Sequence, residues 1–158
     1  MEPSARAQLA RALDWQDARV GLSEALSDLA PDLRGRRPDG WPHSAWQLVE
    51  HLRRAQHDIL DFCVDPRYAE LKWPDDYWPA EPEPPSPQAW DGSVRQIEDD
   101  LRALERLAVD PSVDLLKPIP HGSGQTILRE LLLVIDHNSY HVGQIVALRR
   151  VLGAWPPR

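Results

Sequence analysis

A proline inside a helix removes one hydrogen bond and clashes with the carbonyl a turn earlier, so proline positions state where helices cannot run. This chain carries sixteen of them in 158 residues, and none falls in the interior of a segment whose apolar residues recur at helical spacing. They stand at helix starts, after helix ends, or in two long connections. What they leave free is four helical segments.

The first is expected from about Ser4 to Ala30, with Pro3 at its first turn and Pro31 after its end; Leu9, Leu13, Val20, Leu22, Leu26, Leu29 and Leu33 form one apolar stripe. A polar loop, Arg34 to Gly40, follows. The second helix starts at Ser44, an N-cap with Gln47 placed to complete a capping box. Leu48, Leu52, Ala55, Ile59 and Phe62 mark its buried face until Asp65-Pro66 stops it. Ser86-Pro87 opens the third, whose seam is Trp90, Val94, Ile97, Leu101, Leu104 and Ala108, and Asp110-Pro111 closes it. The fourth runs from near Thr126 to Leu152, with Gly153 as its C′ residue and Pro156-Pro157 beyond. It is apolar almost all round from Ile127 to Ile135, the composition of a centrally placed helix.

The connection from Pro66 to Pro87 holds Trp73, Tyr77 and Trp78, and reads as a lid or a packed crossover. A shorter one passes through Lys117 to Gly122. No strand alternation or internal repeat is visible. The expectation is an all-α, single-domain four-helix bundle over residues 1–158, with long Pro- and Trp-rich crossover loops.

Charge and composition exclude several functions. A net charge of −7 is the wrong sign for gripping nucleic acid or anionic lipid. The most apolar run, Leu131 to Ile135, is far short of a bilayer span, and the N-terminus lacks a secretory pattern. The single cysteine, Cys63, permits no internal disulfide. A soluble, cytoplasmic protein is expected.

Six histidines carry what chemistry the sequence shows: His43, His51, His57, His121, His137 and His141. His137 and His141 are four apart on a helix, so both rings leave one face a turn apart and can reach one ion. His51 lies beside the buried stripe of the second helix and is the natural third ligand from a facing helix. Three imidazoles with remaining positions open describe a catalytic-type site. The competing reading is a hydrogen-bonded core or surface pair. His43, His57 and His121 are expected to be structural or exposed, with His57 and His121 as secondary candidates for contacts near the site. Cys63, three turns beyond His51, is not expected as a ligand. A helical zinc protease needs a glutamate after its first histidine; here that residue is Asn138.

Several stretches together resemble the DinB/YfiT-like superfamily. They are Gly122-Ser-Gly-Gln-Thr-Ile-Leu-Arg-Glu-Leu131, Asp136-His-Asn-Ser-Tyr-His-Val-Gly-Gln-Ile145 and Leu148-Arg-Arg-Val-Leu-Gly-Ala-Trp155, with Ser44-Ala-Trp-Gln-Leu-Val-Glu-His-Leu52 and Trp73-Pro-Asp-Asp-Tyr-Trp-Pro79. The resemblance implies an up-down-down-up four-helix bundle holding a divalent metal, zinc or nickel, on His51, His137 and His141. It further implies a metal-dependent enzyme that activates a low-molecular-weight thiol for transfer to an electrophilic small molecule. The alternatives are a metal-assisted hydrolase using water, or a non-catalytic metal-binding stress-response dimer. Asp58, two turns from His51, is a candidate for orienting a ligand or acting as base, against an exposed helix charge. Tyr140 and Gln144 are candidates for lining the site. The Trp73, Tyr77 and Trp78 segment either walls a substrate pocket or covers an apolar seam or a dimer contact. A homodimer acting on a small-molecule substrate is expected, with no nucleic acid or membrane partner.

Overall fold

The computed structural model describes residues 1–157, and its regular structure is helical. Six helices follow one another: α1 (Pro3–Leu13), α2 (Leu22–Leu26), α3 (Pro31–Arg34), α4 (Ala45–Val64), α5 (Pro87–Val109) and α6 (Ile127–Val151). Pro3, Pro31 and Pro87 each stand at a first helical position, where the missing N–H has no partner to lose, and every other proline lies outside a helix. No strand forms among the described residues; Pro118 and Thr126 make one isolated bridge.

The helix starts are set by side chains. Ser44 accepts from the Gln47 amide while the Gln47 side chain accepts from the Ser44 amide, a complete capping box. Ser86 and Thr126 cap α5 and α6 by the hydroxyl alone, accepting from Ala89 N and Arg129 N. Past α6, Gly153 takes the left-handed conformation (φ +70°) that ends a helix cheaply only at glycine.

The expected first helix from Ser4 to Ala30 is corrected by the structure, which breaks it after Leu13. Asp14 is the reason: its carboxylate accepts from the Leu22 backbone amide (3.1 Å) and pairs with Arg19, so side chain replaces backbone as the acceptor. The leucines on either side of the break also serve different cores. Leu9 and Leu13 belong to one cluster, and Leu22, Leu26 and Leu29 to the other. Pro31 does not follow a helix but opens the single turn α3.

Two apolar clusters stack along the helices. The upper one joins α2, the first half of α4, Trp90 and Ile97 of α5, and Val142 to Leu148 of α6; the lower joins α1, Ile59, Leu60, Leu101, Leu104, Leu131 and Val134. The start of α4 thus meets the end of α6, and these two helices run antiparallel. Against α5 the register is constant: Glu50 with Ser93, Arg53 with Gln96 and His57 with Asp100, each pair 43 residues apart, so α4 and α5 run parallel. The long intervening segment makes that direction possible. Between the clusters lies a polar layer, in which Asn138 donates to Gln56 and Gln56 donates to the Ile97 carbonyl, both at 2.7 Å.

The wholly apolar α6 start is corrected in part. Leu131 and Val134 are buried, but Leu132 and Leu133 are 51% and 36% exposed, so one face of this helix reaches solvent. No helix of the structure is long and apolar enough to cross a membrane.

Candidate metal centre

α4 brings His51 to the polar layer from one side, and α6 brings His137 and His141 from the other. Their potential ligand nitrogens all lie within 4.8 Å of one another, the one such group of histidine, cysteine or acidic residues among the described residues. The ring centroids of His51 are 5.0 Å from His137 and 4.8 Å from His141. His51 and His141 are almost fully buried, at 3% and 6% exposure.

Neighbouring acceptors fix the tautomers. His51 Nδ1–H donates to the Tyr77 carbonyl at 3.2 Å, and His141 Nδ1–H donates to Gln144 Oε1 at 2.7 Å. A carbonyl oxygen only accepts, so each ring carries its proton on Nδ1 and leaves Nε2 as an acceptor. This is how outer groups orient histidines that hold a metal. His51 Nε2 and His137 Nε2 approach to 3.1 Å, a gap with room for one shared proton.

Two buried atoms beside the cluster have no partner: His137 Nδ1 and Asn138 Oδ1. The all-imidazole donor set fits a divalent ion such as zinc or nickel, for both of which imidazole is a suitable ligand. Electrostatics agree. Burial and the adjacent imidazoles of His137 and His141 push His51 down to about 3. Burial and His137 push His141 down to about 4, and burial also lowers His137. All three rings stay neutral at physiological pH, the state that ligates a metal.

The segment between α4 and α5 covers the His51 side and is pinned along its length. Tyr68 and Tyr77 both donate to Asp58, Gln47 donates to the Pro79 carbonyl, Ser44 to that of Pro82, and Arg54 to that of Asp76. Burial and the Asp58 carboxylate raise both tyrosine phenols well above their usual range. Trp78 lies flat between His51 (3.8 Å, 5°) and His43 (4.0 Å, 18°).

The structure places the other candidates plainly. Asp58 is two turns along α4, with both carboxylate oxygens engaged by tyrosines; it reaches His51 only through Tyr77, whose carbonyl holds the ring. Gln144 touches His141 directly. Tyr140 is 63% exposed, its ring edge-on to His141 with centroids 5.0 Å apart. His57 turns to Asp100 (3.0 Å) and His121 to the Phe62 carbonyl (2.9 Å), and neither belongs to the cluster. Cys63 is also outside it, its thiol pushed up to about 12 chiefly by burial. Sequence reasoning missed the Tyr77 carbonyl and the His43–Trp78–His51 stack. Only the density of aromatics in that crossover hinted at them.

A sequence profile described as the DinB superfamily matches residues 14–145. No curated protein and no solved structure matches the chain.

Proposed function

The chain belongs to the DinB superfamily, and from that premise we propose that it is a metal-dependent enzyme that activates a low-molecular-weight thiol for transfer to an electrophilic small molecule. The observation that carries the reading is the convergence of His51, His137 and His141, with two of the three oriented by acceptors on their far nitrogens. When bound, a divalent ion lowers the pKa of a thiol placed on it and so supplies a thiolate at neutral pH.

The chain's own residues do the rest. Tyr77 and Gln144 hold two imidazoles in the ligating tautomer. Asp58, by gripping Tyr68 and Tyr77, fixes the segment that supplies the Tyr77 carbonyl. Trp78 stacks flat on the His51 ring and limits its rotation. The reading also takes α1, α4, α5 and α6 as the four members of an up-down-down-up bundle. A cytoplasmic location and a homodimer belong to the same proposal, the latter checked by sedimentation equilibrium.

The test has two stages. Protein purified without chelator or affinity tag is expected to hold close to one divalent ion per chain by elemental analysis. His137→Ala is expected to lose it while keeping its helical circular dichroism. A metal-free wild type, or full occupancy in the variant, would overturn the site. A panel of electrophiles is then assayed with and without thiols. Thiol-dependent turnover supports transfer, turnover without thiol replaces it with metal-assisted hydrolysis, and absence of any turnover leaves a metal-binding protein.

A further inference from the structure

The two most exposed aromatic side chains of the protein both stand at the rim of the histidine cluster. Trp73 is 66% exposed and Tyr140 is 63% exposed. Trp73 lies edge-on to His51, with centroids 6.4 Å apart, and Tyr140 edge-on to His141 at 5.0 Å. Leaving rings of this size in water forfeits the burial energy that usually drives them inside.

Looseness of the backbone does not explain their position. The turn carrying Trp73 is closed by Lys72 N–H donating to Asp76 (2.8 Å), and Arg54 and Tyr77 pin the following residues to α4. Tyr77 also backs the Trp73 ring, at a centroid distance of 5.4 Å. Tyr140 sits in the middle of α6. The backbone that carries both rings is therefore fixed at the rim, which lowers the ordering cost of a molecule stacking on them. Charge beside Trp73 is balanced. Lys72 and Asp75, on either side of Trp73, pair with each other at 3.0 Å.

We propose that the substrate of this centre carries a planar aromatic ring, which packs on Trp73 and Tyr140 while its polar head reaches the three histidines. The proposal rests on reading those histidines as a metal site and adds the substrate class. Trp73 and Tyr140 are specificity-determining residues, with no part in the bond-making step.

Hydroxamates separate the two claims, because the head binds the metal and the tail reports on the rim. Metal-loaded full-length protein is titrated with benzohydroxamate and with acetohydroxamate by calorimetry. Benzohydroxamate is expected to bind about tenfold more tightly or better, the preference two favourable ring contacts would give. In the double variant Trp73→Ala, Tyr140→Ala that preference is expected to shrink to about threefold or less, with acetohydroxamate affinity unchanged. Trp73→Phe with Tyr140→Phe should retain it, and so should Trp15→Ala, which removes an exposed ring beside Leu128 instead. Equal affinity of the two hydroxamates for wild-type protein, or a preference surviving in the double alanine variant, overturns the proposal and leaves the metal centre standing. Failure of both hydroxamates to bind the loaded protein overturns the metal reading itself.

Discussion

A site built from imidazoles depends on which nitrogen of each ring carries the proton, and here backbone and amide oxygens decide it. Gln144 Oε1, 2.7 Å from His141 Nδ1, does for that ring what the Tyr77 carbonyl does for His51. Gln144→Ala is expected to weaken metal binding about tenfold or more, while Gln144→Glu, which still accepts, keeps it. Competition against a chromophoric chelator measures both, and an unchanged alanine variant would remove the residue from this role. A second expectation concerns acid. Unfolded histidines titrate near 6.5, while burial holds His51 and His141 neutral down to about 3 and about 4. Between these limits the unfolded chain binds more protons, so the metal-free fold has its full stability above pH 6.5 and loses it as pH falls. The urea midpoint should drop between pH 7 and pH 5, where few carboxylates titrate; a flat or rising midpoint contradicts it. His137 and His141 were legible in the sequence because four-residue spacing on a helix has one geometric meaning. The Tyr77 carbonyl was not, since a backbone acceptor in an irregular segment leaves no mark in the residue pattern.

At the level of elements, legibility follows the range of the interaction. The starts of α4 and α5 are fixed by contacts three residues apart, and Ser44 with Gln47 and Ser86 with Pro87 announce them directly. The break after Leu13 depends on Asp14 reaching Leu22 N and on which of two cores each leucine enters, and spacing alone bridged it into one helix. Ser44 also shows how a cap can serve the site. Fully buried, it caps α4 and donates to the Pro82 carbonyl at the far end of the covering segment. Ser44→Ala is expected to cost about 2 kcal/mol, against about 1 kcal/mol for Ser86→Ala, which loses a cap alone. Urea unfolding of the two variants checks the difference; equal losses would mean that the Pro82 contact contributes nothing.

The whole molecule is held at both ends by buried arginines that satisfy carbonyls rather than carboxylates. Arg6 ties the start of α1 to Ala108, Asp110 and Val113, and Arg149 ties α6 to Ala25 and Ala154. Midway between them the polar layer interrupts the apolar packing, and there the histidines of α4 and α6 face each other. An ion shared by those helices binds the folded chain only, because the unfolded chain separates His51 from His137 by 86 residues. Binding must then appear as global stability. At about a thousandfold excess over its dissociation constant the ion contributes about 4 kcal/mol. For a domain of this size that is a rise of roughly 10 °C in Tm, increasing with the logarithm of free metal. Chelator should reverse the rise, and His51→Ala should show none at any metal concentration. A shift that persists in His51→Ala would place the ion elsewhere. Stabilisation confined to one helix in hydrogen exchange would show that α4 and α6 do not share it.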